Sequence, residues 1–554
     1  MDEINKRLGR WGRYQGYVFG LLFIPSFLGG CHTLISSFTL ASPENRCLVP
    51  SLDNESNASY STPFDRNLTN FVYTSPTLQA GKNAYCQYCP FNETNVDNGV
   101  LCTEKLARPC DHGRIYDTSQ YSSTLSMQFD MVCERAYHRE LVRSLFMLGV
   151  LTGAAVFGMV SDKIGRKPTF VLCSLSEVII FNVVPVATNY YLFCILQFIG
   201  AAAQYGTYLT GFIIAMEVID GFPRTIAGVG IQAYFTIGYL YVGMVGYLIR
   251  NWQWLQFSVS ILTLLYLPYY WLLPESIRWL LVNGKREQAQ RTLNKACKMN
   301  RIQEFELPLC EDADRVETAA KKASLFDLFK DKKLALYTIV IFFTWLVCSL
   351  TYYGLSLNTA DLPGDDYVNF ILSGLFELPG LAACIPAMER FGRKPTIIVL
   401  LLLSGIACII SGLIPESIAA GVVASAVIGK MCIAAAFAVI YNYSAEIFPT
   451  VVRNTGTGFS SLFARIGSFC APQIHLLAYY VGNWVPIVVY GCFAVAAAFT
   501  DLLLPETKGR PMPETLQDTL HLARSANKAK TYTEEMRPAT DKSPPDTARS
   551  NESK

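Results

Sequence analysis

The chain is 554 residues long, yet only 16% of it is charged while 51% is hydrophobic and 13% aromatic. That is too little charge to coat the three or four soluble domains such a length would otherwise suggest. Net charge is +2 with both signs nearly balanced, which excludes a basic face for nucleic acid and an acidic solvating tail.

Residues 1–15 include Lys6, Arg7, Arg10 and Arg13. The apolar run 16–38 behind them is long for a signal-peptide core and lacks a small-residue cleavage site, so it reads as a first membrane span with its basic flank cytoplasmic. Residues 39–140 then turn polar. They hold Cys47, Cys86, Cys89, Cys102, Cys110 and Cys133, with Asn-x-Ser/Thr sequons at Asn54, Asn57, Asn67 and Asn92. An even set of cysteines beside glycosylation acceptors reads as a disulfide-stapled extracellular loop. Zinc binding by Cys86-x-x-Cys89 competes with this, though no second Cys-x-x-Cys or His pair completes such a site. Six cysteines allow fifteen pairings, and the sequence selects none.

Apolar runs of about 20 residues, the length of a helix crossing a ~30 Å hydrocarbon layer, recur at 141–160, 169–188, 191–216, 226–248 and 253–273. A polar segment, 274–333, follows, with charges at helical spacing (Arg286, Glu287, Arg291, Lys295). Six more runs lie at 334–356, 367–388, 396–414, 418–443, 455–480 and 484–504. Most lack the polar outer face of a soluble helix. The expectation is an all-α membrane protein with twelve transmembrane helices: one N-terminal bundle closed by 141–273, a cytoplasmic central loop, and a C-terminal bundle at 334–504. The tail, 505–554, should be cytoplasmic and largely disordered. Lys163, Arg166 and Lys167 follow span 2, Arg224 follows span 4, Arg390, Arg393 and Lys394 follow span 8, and Arg453 follows span 10. That bias puts both termini in the cytoplasm.

Internal repetition organises these runs. Asp162-Lys-Ile-Gly-Arg-Lys-Pro-Thr169 recurs as Glu389-Arg-Phe-Gly-Arg-Lys-Pro-Thr396, offset by 227 residues. Glu217 with Arg224 recurs as Glu446 with Arg453, and Pro274-Glu275-Ser276 as Pro505-Glu506-Thr507, at offsets of 229 and 231. The chain is a duplicated six-span unit, the plan of carriers whose halves rock about a midplane site. A carboxylate at a helix end beside a Gly-Arg-Lys turn can pair with a basic residue or a helix N-terminus. Asp162, Arg166, Glu217 and Arg224, with Glu389, Arg393, Glu446 and Arg453, are therefore candidate gating residues.

Pro274-Glu-Ser-Ile-Arg-Trp-Leu-Leu281, Tyr353-Gly-Leu-Ser-Leu357, Ser444-Ala-Glu-Ile-Phe-Pro-Thr-Val-Val-Arg-Asn454 and Leu504-Pro-Glu-Thr-Lys-Gly509 closely resemble the organic cation, anion and carnitine transporters (solute carrier 22 type) of the major facilitator superfamily. The cysteine-rich first loop extends the likeness over nearly the whole chain. Sugar porters share the Pro-Glu-Ser and Pro-Glu-Thr-Lys-Gly motifs but usually lack such a loop. The resemblance implies the major facilitator fold, two six-helix bundles and alternating access.

Ionisable groups stranded mid-membrane are candidates for the substrate site. At 1.5 Å per residue, Glu377 lies about 18 Å from Glu389, Arg465 about 18 Å from Arg453, Lys430 about 24 Å from Glu446, Gln204 about 20 Å from Glu217 and Glu177 about 17 Å from Arg166. Glu377 suits a cationic head and Arg465 a carboxylate; a zwitterion satisfies both. In the competing reading, Glu377 pairs with Lys430 or Arg465 and holds helices together. Tyr205, Tyr208, Trp345, Tyr352, Tyr353, Phe437 and Tyr441 supply aromatic faces for a quaternary ammonium. The resemblance implies cation handling at Glu377. The position of Arg465 is acidic in the organic cation transporters proper and basic in anion and carnitine-type members, and spans 7 to 11 look most like the carnitine and zwitterion branch, with Gln204 and Tyr208 at its span 4 positions.

The expected function is a polyspecific plasma-membrane transporter of organic cations or zwitterions such as carnitine, its partners being small organic ions and the lipid bilayer. Organic anion exchange is the alternative, and a non-transporting solute sensor a second. No cofactor or metal is expected, and no enzyme activity, for lack of a nucleophile–base pair or phosphate loop. Neither the oligomeric state nor the coupling ion is legible.

Overall fold

The structure, a computed structural model, describes residues 7–9, 11–50, 52–53, 60, 72–73, 77–79, 82–90, 101–103, 105–219, 222–307, 328–359, 362–449 and 452–510. Among these residues twelve long helical segments follow one another: α1 (Arg13–Thr39), α2 (Ala136–Ile164), α3 (Arg166–Val183), α4 (Tyr190–Val218), α5 (Phe222–Leu248), α6 (Trp252–Leu272), α7 (Lys332–Leu357), α8 (Asp366–Phe391), α9 (Arg393–Leu413), α10 (Ala419–Ile447), α11 (Arg453–His475) and α12 (Trp484–Asp501). Asn189, Asn251, Asp331 and Asp365 open α4, α6, α7 and α8. Each side-chain oxygen accepts from two backbone N–H groups of the first turn, satisfying donors a helix start leaves orphaned.

Eleven of the twelve are long and apolar enough to cross a membrane. The other, α11, has 23 residues, about 34 Å at 1.5 Å per residue, and so matches the layer in length. Polar residues such as Arg465 and Gln473 lower its hydropathy, and it packs along α2 and α7.

Two spans that read as continuous are broken. α1 consists of Arg13–Leu21, Phe23–Leu34 and Ser36–Thr39. Pro25 has no N–H to give the Leu21 carbonyl, and the Tyr269 hydroxyl donates to that oxygen instead, at 2.6 Å. α6 passes from Trp252–Ser260 into a tighter 3₁₀ stretch, Ile261–Tyr266, before Pro268.

Helices α1–α6 and α7–α12 form two bundles with matching internal contacts. The α1–α5 and α2–α4 pairs of the first reappear as α7–α11 and α8–α10 in the second. The bundles meet along α2–α11 and α5–α8, pairs that interchange when six is added to each helix number. The duplication read from the sequence is thus a pseudo-twofold in space. Two short helices after α6, Ile277–Val282 and Arg286–Asn300, pack on the first bundle, where the Asn300 side chain donates to the Leu8 carbonyl and the Gln15 amide oxygen at 3.0 Å each.

Among its described residues, the loop between α1 and α2 carries six short strands, β1 (Asn45–Cys47), β2 (Thr77–Gln79), β3 (Lys82–Ala84), β4 (Gln87–Tyr88), β5 (Arg108–Pro109) and β6 (Arg114–Tyr116). One sheet has the order β2-β3-β1-β6, and β4 pairs with β5. Disulfides join Cys47 to Cys110, Cys86 to Cys133 and Cys89 to Cys102. All six cysteines are consumed, and Cys86 and Cys89 have different partners, which overturns the zinc alternative. Asn54, Asn57, Asn67 and Asn92 lie outside the described residues. The face bearing this loop is called here the loop face, and the face bearing the two Gly-Arg-Lys turns the turn face.

Candidate functional site

Between the bundles lies a cavity whose walls come from both: Tyr205 and Tyr208 on α4 and Thr236 on α5 face Tyr352 and Tyr353 on α7, Glu377 on α8, Tyr441 on α10 and Arg465 on α11. Aromatic rings dominate it. Tyr352 and Tyr353 meet edge to face at 5.3 Å, Phe437 and Tyr441 at 5.5 Å, and Trp345 backs Tyr441 at 4.3 Å.

Arg465 is 5% exposed. Its guanidinium donates to the Tyr205 hydroxyl across the bundle interface at 3.0 Å and lies 4.4 Å over that ring. No carboxylate among the described residues pairs with it, and its Nε is left without a bond. Glu377, 1% exposed, accepts from the Thr236 hydroxyl at 2.9 Å, again across the interface, and from Tyr352 at 3.4 Å. Its other oxygen lies 3.3 Å from the Lys430 ammonium. Lys430 is equally buried and sits 3.9 Å over the Tyr239 ring.

Of the candidate substrate-binding residues, Glu377, Arg465, Tyr208, Tyr352, Tyr353 and Tyr441 meet at this cavity. Lys430 stands behind Glu377 instead of on the wall. Gln204 also turns away, donating to the Gly29 carbonyl at 3.0 Å and the Thr33 hydroxyl at 3.4 Å, and so joins α4 to α1. Sequence reading missed Thr236 and Tyr239. Both lie on α5, which has no ionisable residue at midspan to draw attention, and only the pseudo-twofold pairing of α5 with α8 brings them opposite Glu377 and Lys430.

At the turn face the candidate gating residues form two matching clusters. Arg166 donates to Asp162 at 2.8 Å and lies 3.8 Å from Glu217, whose carboxylate also accepts from the Ser276 hydroxyl. Arg393 donates to Glu446 at 3.0 Å and lies 3.5 Å from Glu389, while Thr507 donates to Glu446 at 2.5 Å. Arg453 donates to the Phe448 carbonyl at 3.1 Å, and the side chain of Arg224 lies outside the described residues. The carboxylates on the helix N-termini are not those expected. Glu275 accepts from the backbone N–H of Arg166 at 3.0 Å and Lys167 at 3.3 Å, and Glu506 from those of Arg393 and Lys394, each at 3.1 Å. Each of these contacts joins residues of one bundle.

Bonds between the bundles continue from the cavity toward the loop face. Gln473 donates to Ser144 at 2.7 Å, and His475 lies 3.8 Å from Glu140, which Arg139 and Arg143 hold at 3.0 and 3.1 Å. Tyr239 and Phe370 rings meet at 4.1 Å, and the loop between α1 and α2 also binds the second bundle: Tyr121 donates to Asp366 at 2.8 Å, and Tyr367 donates to the Gln120 carbonyl at 3.1 Å. These contacts join the two halves on the loop side of the cavity.

The sequence profile described as "Sugar (and other) transporter" matches residues 114–518. The Organic cation transporter protein of Drosophila melanogaster is 34% identical over 93% of this chain and 94% of its own length. Solute carrier family 22 member 13 of Homo sapiens is 33% identical over 93% and 92%. Among solved structures, the major facilitator superfamily proton:xylose symporter XylE bound to 6-bromo-6-deoxy-D-glucose superposes with a TM-score of 0.60 at 17% identity, covering 90% of this chain and 98% of that one. XylE from E. coli in its inward open conformation gives 0.57 at 18% identity, with the same coverage. That likeness shows the major facilitator fold.

Proposed function

We propose that this chain, which belongs to the sugar (and other) transporter family and within it to the organic cation transporter and solute carrier 22 group, carries small organic cations or zwitterions, those bearing a carboxylate foremost, across the plasma membrane by alternating access. The observation that carries this reading is the imbalance of charge in the cavity. Lys430 answers Glu377, whereas Arg465 has no carboxylate among the described residues. A buried guanidinium is strongly favoured by a two-oxygen anionic partner, and a substrate carboxylate would supply one. The rings of Tyr208, Tyr352, Tyr353 and Tyr441 suit the cationic end of a carnitine-like zwitterion. Organic anion carriage is the second reading, favoured by the same imbalance.

The loop face is assigned to the cell exterior, because three disulfides form and persist in oxidising compartments, and the turn face, rich in Lys and Arg, to the cytoplasm. With the halves joined on its outer side, the cavity would then face inward. Asp162, Arg166, Glu217 and Arg224, with Glu389, Arg393, Glu446 and Arg453, are proposed to brace each bundle as the pair rocks, with Glu275 and Glu506 pinning the turns. Asn54, Asn57, Asn67 and Asn92 are proposed as glycan acceptors.

The test is radiolabelled uptake of carnitine, a simple quaternary ammonium and a dicarboxylate in cells, with surface protein quantified. Arg465→Ala should cut uptake of carboxylate-bearing compounds by about tenfold or more, the scale of a lost charge-assisted hydrogen bond, and spare the simple cation. Equal loss of every compound would overturn the assignment of Arg465.

A further inference from the structure

Resting on that reading, one residue deserves a role of its own. Lys430 already makes every contact that a cationic substrate head would seek: a carboxylate 3.3 Å away at Glu377, the face of Tyr239 at 3.9 Å and that of Tyr352 at 5.7 Å. A carboxylate flanked by aromatic faces is the chemistry that recognises an organic ammonium. Behind Lys430, away from the main cavity, is a second, small chamber of about 10 Å³ lined by Asn358, Thr359, Ser373 and Lys430 among apolar neighbours. The Asn358 Oδ1 and Ser373 Oγ are buried and have no hydrogen-bond partner among the described residues. Two unanswered oxygens thus lie in a chamber that the lysine itself borders, and most buried polar atoms have a hydrogen-bond partner.

We infer that Lys430 is a tethered stand-in for the cationic head of the substrate: it neutralises Glu377 while the cavity is empty, and yields Glu377 to an arriving ammonium by withdrawing to Asn358 and Ser373. The move exchanges the Glu377 carboxylate for two neutral oxygen acceptors, so the ammonium keeps polar partners but gives up its countercharge, a cost that the arriving cation meets by taking over Glu377. Because Tyr239 belongs to the first bundle and Lys430 to the second, withdrawal also breaks one contact across the interface. Lys430 then sets selectivity, weakening simple cations that must displace it without hindering a carboxylate that seeks Arg465.

The experiment measures uptake of tetraethylammonium and of an aromatic monocarboxylate by the full chain in cells, corrected for surface abundance. Lys430→Met should lower the KM for tetraethylammonium by about tenfold, the scale of one charge-assisted contact no longer displaced, without lowering that of the monocarboxylate. An unchanged tetraethylammonium KM, or equal changes for both compounds, would overturn the inference. Asn358→Leu with Ser373→Ala leaves the ion pair intact and removes the place of withdrawal. It should raise the tetraethylammonium KM several-fold and leave the monocarboxylate unmoved, and it decides the matter alone if Lys430→Met does not reach the surface. Failure of the transport reading looks different, for then the unsubstituted chain takes up neither compound.

Discussion

Gly165 and Gly392 show how one residue type fixes a motif. Both have φ near +100° (+112° and +100°), and a Cβ on either would stand 2.6 Å from a carboxylate oxygen, of Glu275 in one case and Glu506 in the other. Only glycine takes that conformation freely and lets the acid reach the backbone N–H groups behind it. Gly165→Ala or Gly392→Ala should therefore destabilise its bundle by about 1–3 kcal/mol, read as a lowered melting temperature of the purified carrier in detergent. The glycines were plain in the repeated motif. Their acids were not, since Glu275 stands 109 positions from Arg166, whose backbone N–H it accepts from, and nothing local connects the two.

At the scale of the helix, the same acids act on the ends of α3 and α9, where a negative charge beside the first turn contributes roughly 0.3–1 kcal/mol. Glu275→Gln and Glu506→Gln should each lower thermal stability by about that amount, and by similar amounts, because the two contacts are copies. A large difference between them in the same melting assay would show that the halves do not share the work evenly. Helix existence was legible from apolar run length, and the expected starts of α4, α6, α7 and α8 lie two or three residues past the caps Asn189, Asn251, Asp331 and Asp365. The breaks in α1 and α6 were less so. Pro25 and Pro268 were visible in the sequence, but the hydroxyl of Tyr269 that takes up the freed carbonyl of Leu21 comes from another helix. The cavity divides in the same way. Glu377, Lys430 and Arg465 stood out as charges in apolar runs, whereas Thr236 and Tyr239 are ordinary helix residues until the pairing of α5 with α8 is known.

At the scale of the whole molecule, the two halves are joined on the loop face by contacts such as Gln473 with Ser144. Cysteines at both positions, joined by a short bifunctional thiol reagent, should hold that side shut and abolish uptake, while each single variant stays active under the same treatment. Uptake that persists after cross-linking would show that α2 and α11 need not part during the cycle. The loop itself depends on its bridges. Cys47 and Cys110 are 63 positions apart, and closing a chain segment of that length contributes about 4 kcal/mol in the chain-entropy account. Cys47→Ser with Cys110→Ser should accordingly reduce the amount of protein at the cell surface, measured by surface biotinylation.

The unanswered guanidinium of Arg465 also makes the carrier an electrical object. A full charge traversing 100 mV corresponds to about 2.3 kcal/mol, and alternating access sweeps the membrane field past this one. If a substrate carboxylate binds Arg465 as proposed, a monoanion would cancel this charge, the loaded limb of the cycle would become blind to voltage and the empty return alone would feel it. A zwitterion leaves both limbs equally sensitive and no net current per turnover.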